Sequence, residues 1–184
     1  MKVTEYTGEI LTELTRTIDL IDDEEAEKLV EAILSAKKVF VAGSGRSGFM
    51  AKSFVMRLMH IGLDPYVVGE TVTPNLEPGD IFIVGSGSGE TKSLIAMTEK
   101  AKSIGATIVA ITINPKSTIG QLANIQISIP AQAKTEGSSG KSLQPMGSLF
   151  EQSLLLFFDA VILRIMERKE QDSDKMYGRH ANLE

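Results

Sequence analysis

The chain contains two nearly matching stretches, VFVAGSGRSGFMAKS at residues 39–53 and IFIVGSGSGETKS at residues 81–93. Each begins with four apolar residues that favour a strand, continues through glycines that alternate with serines, and ends in a stretch that favours a helix. The two loops are separated, from Ser44 to Ser86, by about one strand–helix–strand unit and a connection. The two stretches therefore predict two strand-to-helix turns of one sheet.

Short apolar runs alternate with stretches of helical character through the middle of the chain. The runs are continuous rather than alternating between apolar and polar residues, as expected of strands that are covered on both faces. Strands that alternate with helices indicate an α/β fold with a parallel sheet and right-handed crossovers. The predicted strands are residues 39–42, 65–68, 81–84, 107–112 and 125–129, and the predicted helices between them are residues 46–61, 90–103 and 117–123.

Two helices are predicted before the first strand, at residues 4–20 and 23–37, because apolar residues recur there at helical spacing. Asp22 or Asp23 can cap the second of them. A further long helix is predicted at residues 148–169. It is apolar nearly all round, which predicts a place at the centre of the molecule or in a subunit interface.

The segments around the long helix show no periodicity. A loop of small and polar residues, 131–145, is interpreted as a mobile lid or a disordered connector. No change of composition marks a domain boundary. Residues 1–184 are therefore predicted to form one domain, with a helical extension over residues 1–37 and a tail over residues 170–184.

The composition is that of an ordinary globular chain: 184 residues, 42% hydrophobic and 23% charged, with a net charge of −5. Lysine and arginine are not gathered into one run, so no nucleic-acid partner is expected. The absence of cysteine excludes disulfides, thiolate metal sites and cysteine nucleophiles. No signal segment is visible, and the longest apolar run contains Asp159 and Arg164 and is too short to span a bilayer. A cytoplasmic protein without a membrane partner is expected.

The two glycine loops have the features of anion-binding sites. Glycine allows the backbone to turn tightly and to approach a ligand closely. The helix that follows each loop presents unpaired N–H groups with a partial positive charge. Two such loops predict a ligand that has a phosphate and several hydroxyls, such as a sugar phosphate. The side-chain hydroxyls of the loops are those of Ser44, Ser47, Ser86, Ser88 and Thr91.

Ser86, Ser88 and Thr91 form the most specific part of this pattern. Their spacing places two hydroxyls in the turn and one in the first turn of the helix, where all three can point at one anion. Alternatively, they are turn and N-cap residues, as serine and threonine often are. A cap needs one such residue rather than three among glycines, and this favours ligand binding.

Gly43, Gly45 and Gly48 also match the G-x-G-x-x-G pattern of dinucleotide-binding proteins, and Glu70 lies near the position of a ribose-binding acid. The pattern alone is weakly specific. The chain leaves no room for a second domain to hold a hydride acceptor, and a dinucleotide site does not need a second Ser-Gly-Ser loop. A dinucleotide-binding protein is therefore the weaker alternative.

Four further residues have both a functional and a structural interpretation. Glu151 forms an S-x-x-E capping box with Ser148, although a carboxylate at a helix start beside a small-residue loop could also act as a general base. His60 ends a predicted helix, where a cation suits the helix dipole. His180 lies in the tail, where it could relay protons near a site or be idle. Arg46 could bind a phosphate or a sugar oxygen, or face solvent.

The motifs AGSGRSG and VGSGSGETKS resemble those of the sugar-isomerase (SIS) domain family. The resemblance narrows with AKSFVMRLMHIG, ITINPKSTIGQLA, QPMGSLFEQ and RHANLE, which together are similar to the 6-phospho-3-hexuloisomerases of that family. The similarity runs nearly from end to end. It implies a three-layer α-β-α sandwich around a five-stranded parallel sheet in flavodoxin-like strand order, with two leading helices.

The resemblance also implies a reaction. D-arabino-3-hexulose 6-phosphate and D-fructose 6-phosphate would interconvert through an enediol, as a step of the ribulose monophosphate pathway, without a metal or a redox cofactor. Glu151 would be the base, and His180 would assist it from the tail at a subunit boundary of a homotetramer. The residues expected to bind the substrate and its phosphate are Ser44, Gly45, Arg46, Ser47, Ser86, Gly87, Ser88 and Thr91.

A second interpretation of the same resemblance is a binding module that senses a sugar phosphate without turnover. The pair Glu151 and His180 favours an enzyme, because a sensor need not keep both side chains. The absence of an attached DNA-binding segment in the sequence also counts against a regulator.

Overall fold

The computed structural model describes residues 1–131, 142–172, 176 and 178–180. Within these residues the sheet consists of β1 (Val39–Gly43), β2 (Pro65–Val67), β3 (Ile81–Gly85), β4 (Thr107–Thr112) and β5 (Ile125–Ser128). All neighbouring strands are parallel, and their order is β2-β1-β3-β4-β5. The predicted α/β fold, with five parallel strands in flavodoxin-like order, is confirmed.

The helices of the described residues are α1 (Val3–Ile18), α2 (Asp23–Ser35), α3 (Gly45–His60), α4 (Lys92–Ile104), α5 (Thr118–Leu122) and α6 (Ser148–Arg168). Each begins and ends within two residues of its predicted bounds. Asp22 is the N-cap of α2, and its carboxylate accepts from the N–H groups of Glu24 and Glu25 at 2.8 and 3.2 Å. These acceptors satisfy two of the unpaired N–H groups at the helix start.

Helices cover both faces of the sheet, and alternate residues of β1 illustrate this. Val39 and Val41 belong to the apolar core formed with α2, α3 and α6. Phe40 and Ala42 point to the opposite core, formed with α4 and α5. Because successive side chains of a strand point to opposite faces, two cores on one strand mean three layers. The predicted α-β-α sandwich is confirmed.

Helix α6 runs through the centre of one helical layer. The ring of Phe158 stacks on that of Phe54 in α3, with centroids 4.1 Å apart, and Leu154 and Ile165 are fully buried. Helix α1 packs on α6 from the outside. Leu163 remains 66% exposed, so the helix is central along most but not all of its surface.

Some sequence predictions concern segments that lie partly outside the described residues. Of the predicted lid or connector, 131–145, residues 132–141 lie outside the described residues. The assignment of residues 1–184 to one domain stays a prediction. In the ranges that are described, none of the helices has the length and apolar character that a membrane crossing requires.

Candidate active site

The two glycine loops lie at the same edge of the sheet. Gly43 at the end of β1 pairs directly with Gly85 at the end of β3, so the loops that follow these residues are neighbours. The direction of winding reverses here, because β2 lies on one side of β1 and β3 on the other. In open parallel sheets, ligands bind beyond the carboxyl ends of the strands at such a switch point. The fold therefore forms a crevice where the sequence predicts an anion site.

The first loop leads directly into α3. A Cβ atom at Gly48 would lie 2.8 Å from the Gly43 carbonyl oxygen, so glycine is required for this close approach. Ser44 is exposed and is the N-cap residue of α3, but its hydroxyl makes no capping hydrogen bond to the described residues. Gly45 follows with φ +58°, whereas Ser47 is buried. The accessible groups of this loop are thus the Ser44 hydroxyl and the N–H groups of the first helical turn.

The second loop is fixed to the neighbouring strand by backbone hydrogen bonds. The Ser86 N–H donates to the Ile111 carbonyl at 3.0 Å, and the Gly87 carbonyl accepts from the Ile113 N–H at 3.1 Å. Ser86 is buried, and its hydroxyl oxygen accepts from the Gly89 N–H at 3.2 Å. These bonds hold the loop in one shape before any ligand arrives, which lowers the entropic cost of binding.

Ser88 and Thr91 are the more accessible hydroxyls of the second loop. Ser88 is exposed, and its oxygen accepts from the Glu90 N–H at 3.2 Å. Thr91 is the N-cap residue of α4, although its side chain forms no cap with a described residue. The interpretation as turn and cap groups therefore fits the buried Ser86 better than it fits Thr91.

Arg46 joins the first loop to the start of α6. Its Nη1 donates to the Ser148 hydroxyl and to the Glu151 carboxylate, each at 2.9 Å. The Arg46 side chain is 50% exposed and the Glu151 side chain only 18%. Arg46 does not simply face solvent: a charge-assisted bond ties it to the carboxylate. The candidate base is thereby placed beside the predicted phosphate loops.

The predicted capping box at the start of α6 is wrong. Gly147 is the N-cap residue, so Ser148 is the first residue of the helix and Glu151 the fourth. A turn brings the Ser148 N–H to the Pro145 carbonyl at 3.2 Å and starts the helix one residue earlier than the capping box requires. The Ser148 hydroxyl accepts from Arg46 instead.

The first turns of α6 also touch the second loop. A Cβ atom at Gly87 would lie 3.2 Å from the ring of Phe150, and one at Gly85 would lie 3.1 Å from a methyl group of Leu154. Phe150 immediately precedes Glu151 in the helix. The carboxylate of Glu151 is therefore held where α6 meets both loops.

His180 lies far from Glu151 within one chain. Its ring stacks on that of His60, the last residue of α3, with centroids 5.4 Å apart. Glu151 instead contacts Arg46, in the first turn of α3. At 1.5 Å per residue, the helix separates these two points by about 20 Å. The joint action of Glu151 and His180 stays a prediction, and it would require His180 to come from a second copy of the chain. Residues 181–184 of the tail motif lie outside the described residues.

His60 is buried rather than exposed at its helix end. Burial lowers the pKa of its imidazole, and the nearby charges of Arg57 and His180 lower that pKa further. The interpretation of His60 as a structural residue fits this burial, and removal from water opposes the charged imidazole that the helix dipole would favour.

Glu13 in α1 was not identified by sequence reasoning. Its carboxylate accepts from the side chains of Ser142 and Gln144 and from the Leu143 N–H. Burial would raise the pKa of this carboxyl, but the three hydrogen bonds and the charge of Arg16 hold the pKa below its ordinary value. No local pattern could reveal the interaction, since the partners are about 130 residues away in the chain.

Metal sites in proteins are formed by clusters of side chains such as His, Asp and Glu. No group of three or more His, Asp or Glu residues that could hold a metal ion forms in the described ranges. The polar groups of the two loops and of the start of α6 include hydroxyls, helix N–H groups, the Arg46 guanidinium and the Glu151 carboxylate. These groups suit an anionic, hydroxyl-rich ligand.

The chain belongs to the SIS domain family, which matches residues 32–156. The match includes both glycine loops and Glu151. Two curated proteins named 3-hexulose-6-phosphate isomerase are similar to the chain over most of their length. The Bacillus subtilis protein is 56% identical over the whole of both chains. The Mycobacterium gastri protein is 42% identical over 94% of this chain and 86% of its own.

A solved structure that is similar to this chain points to the same activity as the names of these relatives. The crystal structure of a Methanococcus jannaschii protein, whose description infers a molecular function of 3-hexulose-6-phosphate isomerase, matches with a TM-score of 0.82 and 36% identity. The match covers 97% of this chain and 96% of the other. The similarity is therefore not limited to the loops but extends over nearly the whole length of both chains.

Proposed function

We propose that this protein is a 3-hexulose-6-phosphate isomerase, which interconverts D-arabino-3-hexulose 6-phosphate and D-fructose 6-phosphate. The observation that supports this most is the placement of Glu151, a largely buried carboxylate held by Arg46 where α6 meets both glycine loops. The names and the full-length similarity of the relatives point to the same substrate.

The reaction moves the carbonyl group from C3 to C2. A base removes the C2 proton of the 3-hexulose, and the electron pair shifts to form an enediol between C2 and C3. The proton then returns to C3, while the oxygen at C2 loses a proton and the oxygen at C3 gains one. Glu151 is the proposed base for the carbon-bound proton.

The substrate phosphate is proposed to lie between the starts of α3 and α4. Ser44, Ser88 and Thr91 offer accessible hydroxyls there, and the first N–H groups of both helices add a positive potential. Ser47 and Ser86, which are buried in the same two loops, are proposed to complete the phosphate site. Gly45 and Gly87 keep the backbone free of side chains, so that a phosphate can approach it closely.

Arg46 is proposed to contact the substrate as well as Glu151. Half of its side chain is exposed, and it has donors beyond the Nη1 that Glu151 and Ser148 share. A guanidinium can bind two oxygens at once. It can therefore orient the carboxylate while another of its N–H groups contacts a substrate oxygen.

His180 is proposed to act in the site of another subunit, in a homotetramer. Exposed apolar side chains that a partner could cover lie on α3 and α6: Phe49, Met56, Met59, Leu156 and Leu163. A cytoplasmic location is also part of the proposal, and the resemblance implies a step in the ribulose monophosphate pathway. No cofactor is part of it.

The alternative function is a module that binds a sugar phosphate without turnover. An assay of fructose 6-phosphate formation from the 3-hexulose, coupled to a dehydrogenase, separates the two. The proposal expects saturable turnover with no cofactor besides the nicotinamide that the coupling dehydrogenase itself consumes. Tight binding of the sugar phosphate without turnover would favour the sensor, and binding of NADH would favour the dinucleotide alternative.

A further inference from the structure

The carboxylate of Glu13 connects α1 to the segment that leads into α6. Ser142 Oγ donates to Glu13 Oε2 at 2.7 Å, and Gln144 Nε2 donates to the same oxygen at 3.0 Å. The Leu143 N–H donates to Oε1 at 2.7 Å. Three consecutive residues are thus hydrogen-bonded to one side chain of α1.

The same segment continues directly into the turn that precedes α6, the helix that carries the candidate base. The Ser142 oxygen also accepts from the Gln144 N–H at 3.0 Å, and Gln144 is buried. Met146 then adopts a left-handed conformation, with φ 60°, which is unfavourable for a side chain other than glycine. Such a conformation persists only where its surroundings hold it.

The turn and the helix start are joined by backbone bonds. The Ser148 N–H donates to the Pro145 carbonyl at 3.2 Å, and the Glu151 N–H donates to the Gly147 carbonyl at 3.0 Å. Arg46 donates to the side chains of both Ser148 and Glu151. An unbroken chain of contacts therefore leads from Glu13 to the Glu151 carboxylate.

We propose that Glu13 is a positioning residue, which holds residues 142–144 on α1 and thereby keeps the first turn of α6 and the Glu151 carboxylate in place for proton transfer. The inference rests on the proposed function of Glu151 as the base. A base must stay within hydrogen-bond reach of the proton that it removes. Displacement by about 1 Å can lower a rate by roughly 10²-fold.

The test compares Glu13→Ala with Glu9→Ala, which removes an exposed carboxylate one turn earlier on the same helix. Hydrogen exchange of the backbone amides of residues 142–151 is measured together with kcat and KM. In Glu13→Ala we expect these amides to exchange about tenfold faster or more and kcat to fall about tenfold or more. We expect KM to stay within about twofold, because the phosphate-binding loops follow β1 and β3 rather than the turn. Glu9→Ala should match the wild type in all three quantities.

A second variant covers the case in which Glu13→Ala does not fold. Glu13→Gln keeps the shape of the side chain and one acceptor oxygen, so the same two changes are expected with smaller size. Unchanged hydrogen exchange at residues 142–151 in a folded Glu13 variant would refute the proposal that Glu13 holds this segment in place. Faster exchange with an unchanged kcat would refute the positioning role.

Failure of the proposed function gives a different pattern. If the wild-type protein itself does not turn over the 3-hexulose phosphate, the proposed function is refuted. Exchange at the amides of residues 148–151 then still decides whether Glu13 holds the start of α6: acceleration in Glu13→Ala but not in Glu9→Ala supports that hold, and equal exchange refutes it.

Discussion

The loop hydroxyls fall into two groups according to their exposure. Ser47 and Ser86 are buried, while Ser44 and Ser88 are exposed and Thr91 is partly exposed at the start of α4. The Ser86 hydroxyl already accepts from the Gly89 N–H within its own loop, whereas an exposed hydroxyl can meet a ligand directly. The pattern of serines and glycines does not reveal this division, because burial depends on the neighbouring strand and on α6.

Replacement of Thr91 by alanine should weaken substrate binding. A hydrogen bond to a charged group contributes about 1.5–3 kcal/mol, so the affinity for fructose 6-phosphate should fall roughly tenfold or more. Titration calorimetry measures the loss, and Ser88→Ala should show a similar one. Ser93→Ala, which changes an exposed hydroxyl in the first turn of α4, is the matched control. Equal affinity in all of these proteins would remove the second loop from the phosphate site.

His60 should make stability depend on pH. Burial lowers the pKa of His60 in the folded protein, while in the unfolded chain histidine titrates near its ordinary value of about 6.5. The unfolded chain therefore takes up a proton first as the pH falls, and the free energy of unfolding decreases below about pH 6.5. His60→Gln should show a smaller decrease between pH 7 and 5 in urea unfolding. If the free energy of unfolding fell equally with pH in the two proteins, His60 would not be the source of the pH dependence.

At the scale of elements, the fold was predictable because its determinants are local. Continuous apolar runs define the strands, and glycine loops mark where α3 and α4 begin. The contacts that complete the site are not local. Arg46 and Glu151 are 105 residues apart, and the capping-box pattern around Ser148 suggested a partner within the helix instead. Periodicity specifies which residues form α6, but not which loop its first turn meets.

The C-terminal tail should matter more for activity than for stability. Arg179 lies against Gly62, and His180 stacks on the His60 ring, yet both residues are exposed. Removal of residues 178–184 should therefore lower the free energy of unfolding by at most about 1 kcal/mol, the size of one ring contact. Turnover should fall strongly, since the deletion removes His180. The measurements are urea unfolding and the coupled assay, and full turnover in the truncated protein would make His180 an idle residue.

At the scale of the whole molecule, Glu151 and His180 lie so far apart in one chain that they could act together only in a site shared between subunits. If each site takes Glu151 from one subunit and His180 from another, two inactive variants should restore activity when they exchange subunits. An equal mixture of Glu151→Gln and His180→Ala should recover about a quarter of the wild-type sites after random reassembly. The coupled assay measures the recovery, and each variant reassembled alone is the control. A mixture as inactive as its components, with subunit exchange verified, would place His180 outside the site.

The assembly itself offers an independent check. The exposed apolar side chains of α3 and α6 predict an interface between subunits that hides them, and the resemblance implies that the assembly is a homotetramer. Light scattering at micromolar concentration should give about four times the mass of one chain. A monomer would contradict both the assembly and the shared site.

The most direct test of the central claim follows the carbon-bound proton. In deuterated water the wild-type protein should produce fructose 6-phosphate that carries deuterium at C3, because Glu151 exchanges the abstracted proton with solvent before returning it. Glu151→Gln cannot accept that proton, so turnover and deuterium incorporation should both fall by ~10²–10⁴, while affinity for fructose 6-phosphate stays close to that of the wild type. Incorporation at nearly the wild-type rate in the folded Gln variant would show that another group is the base.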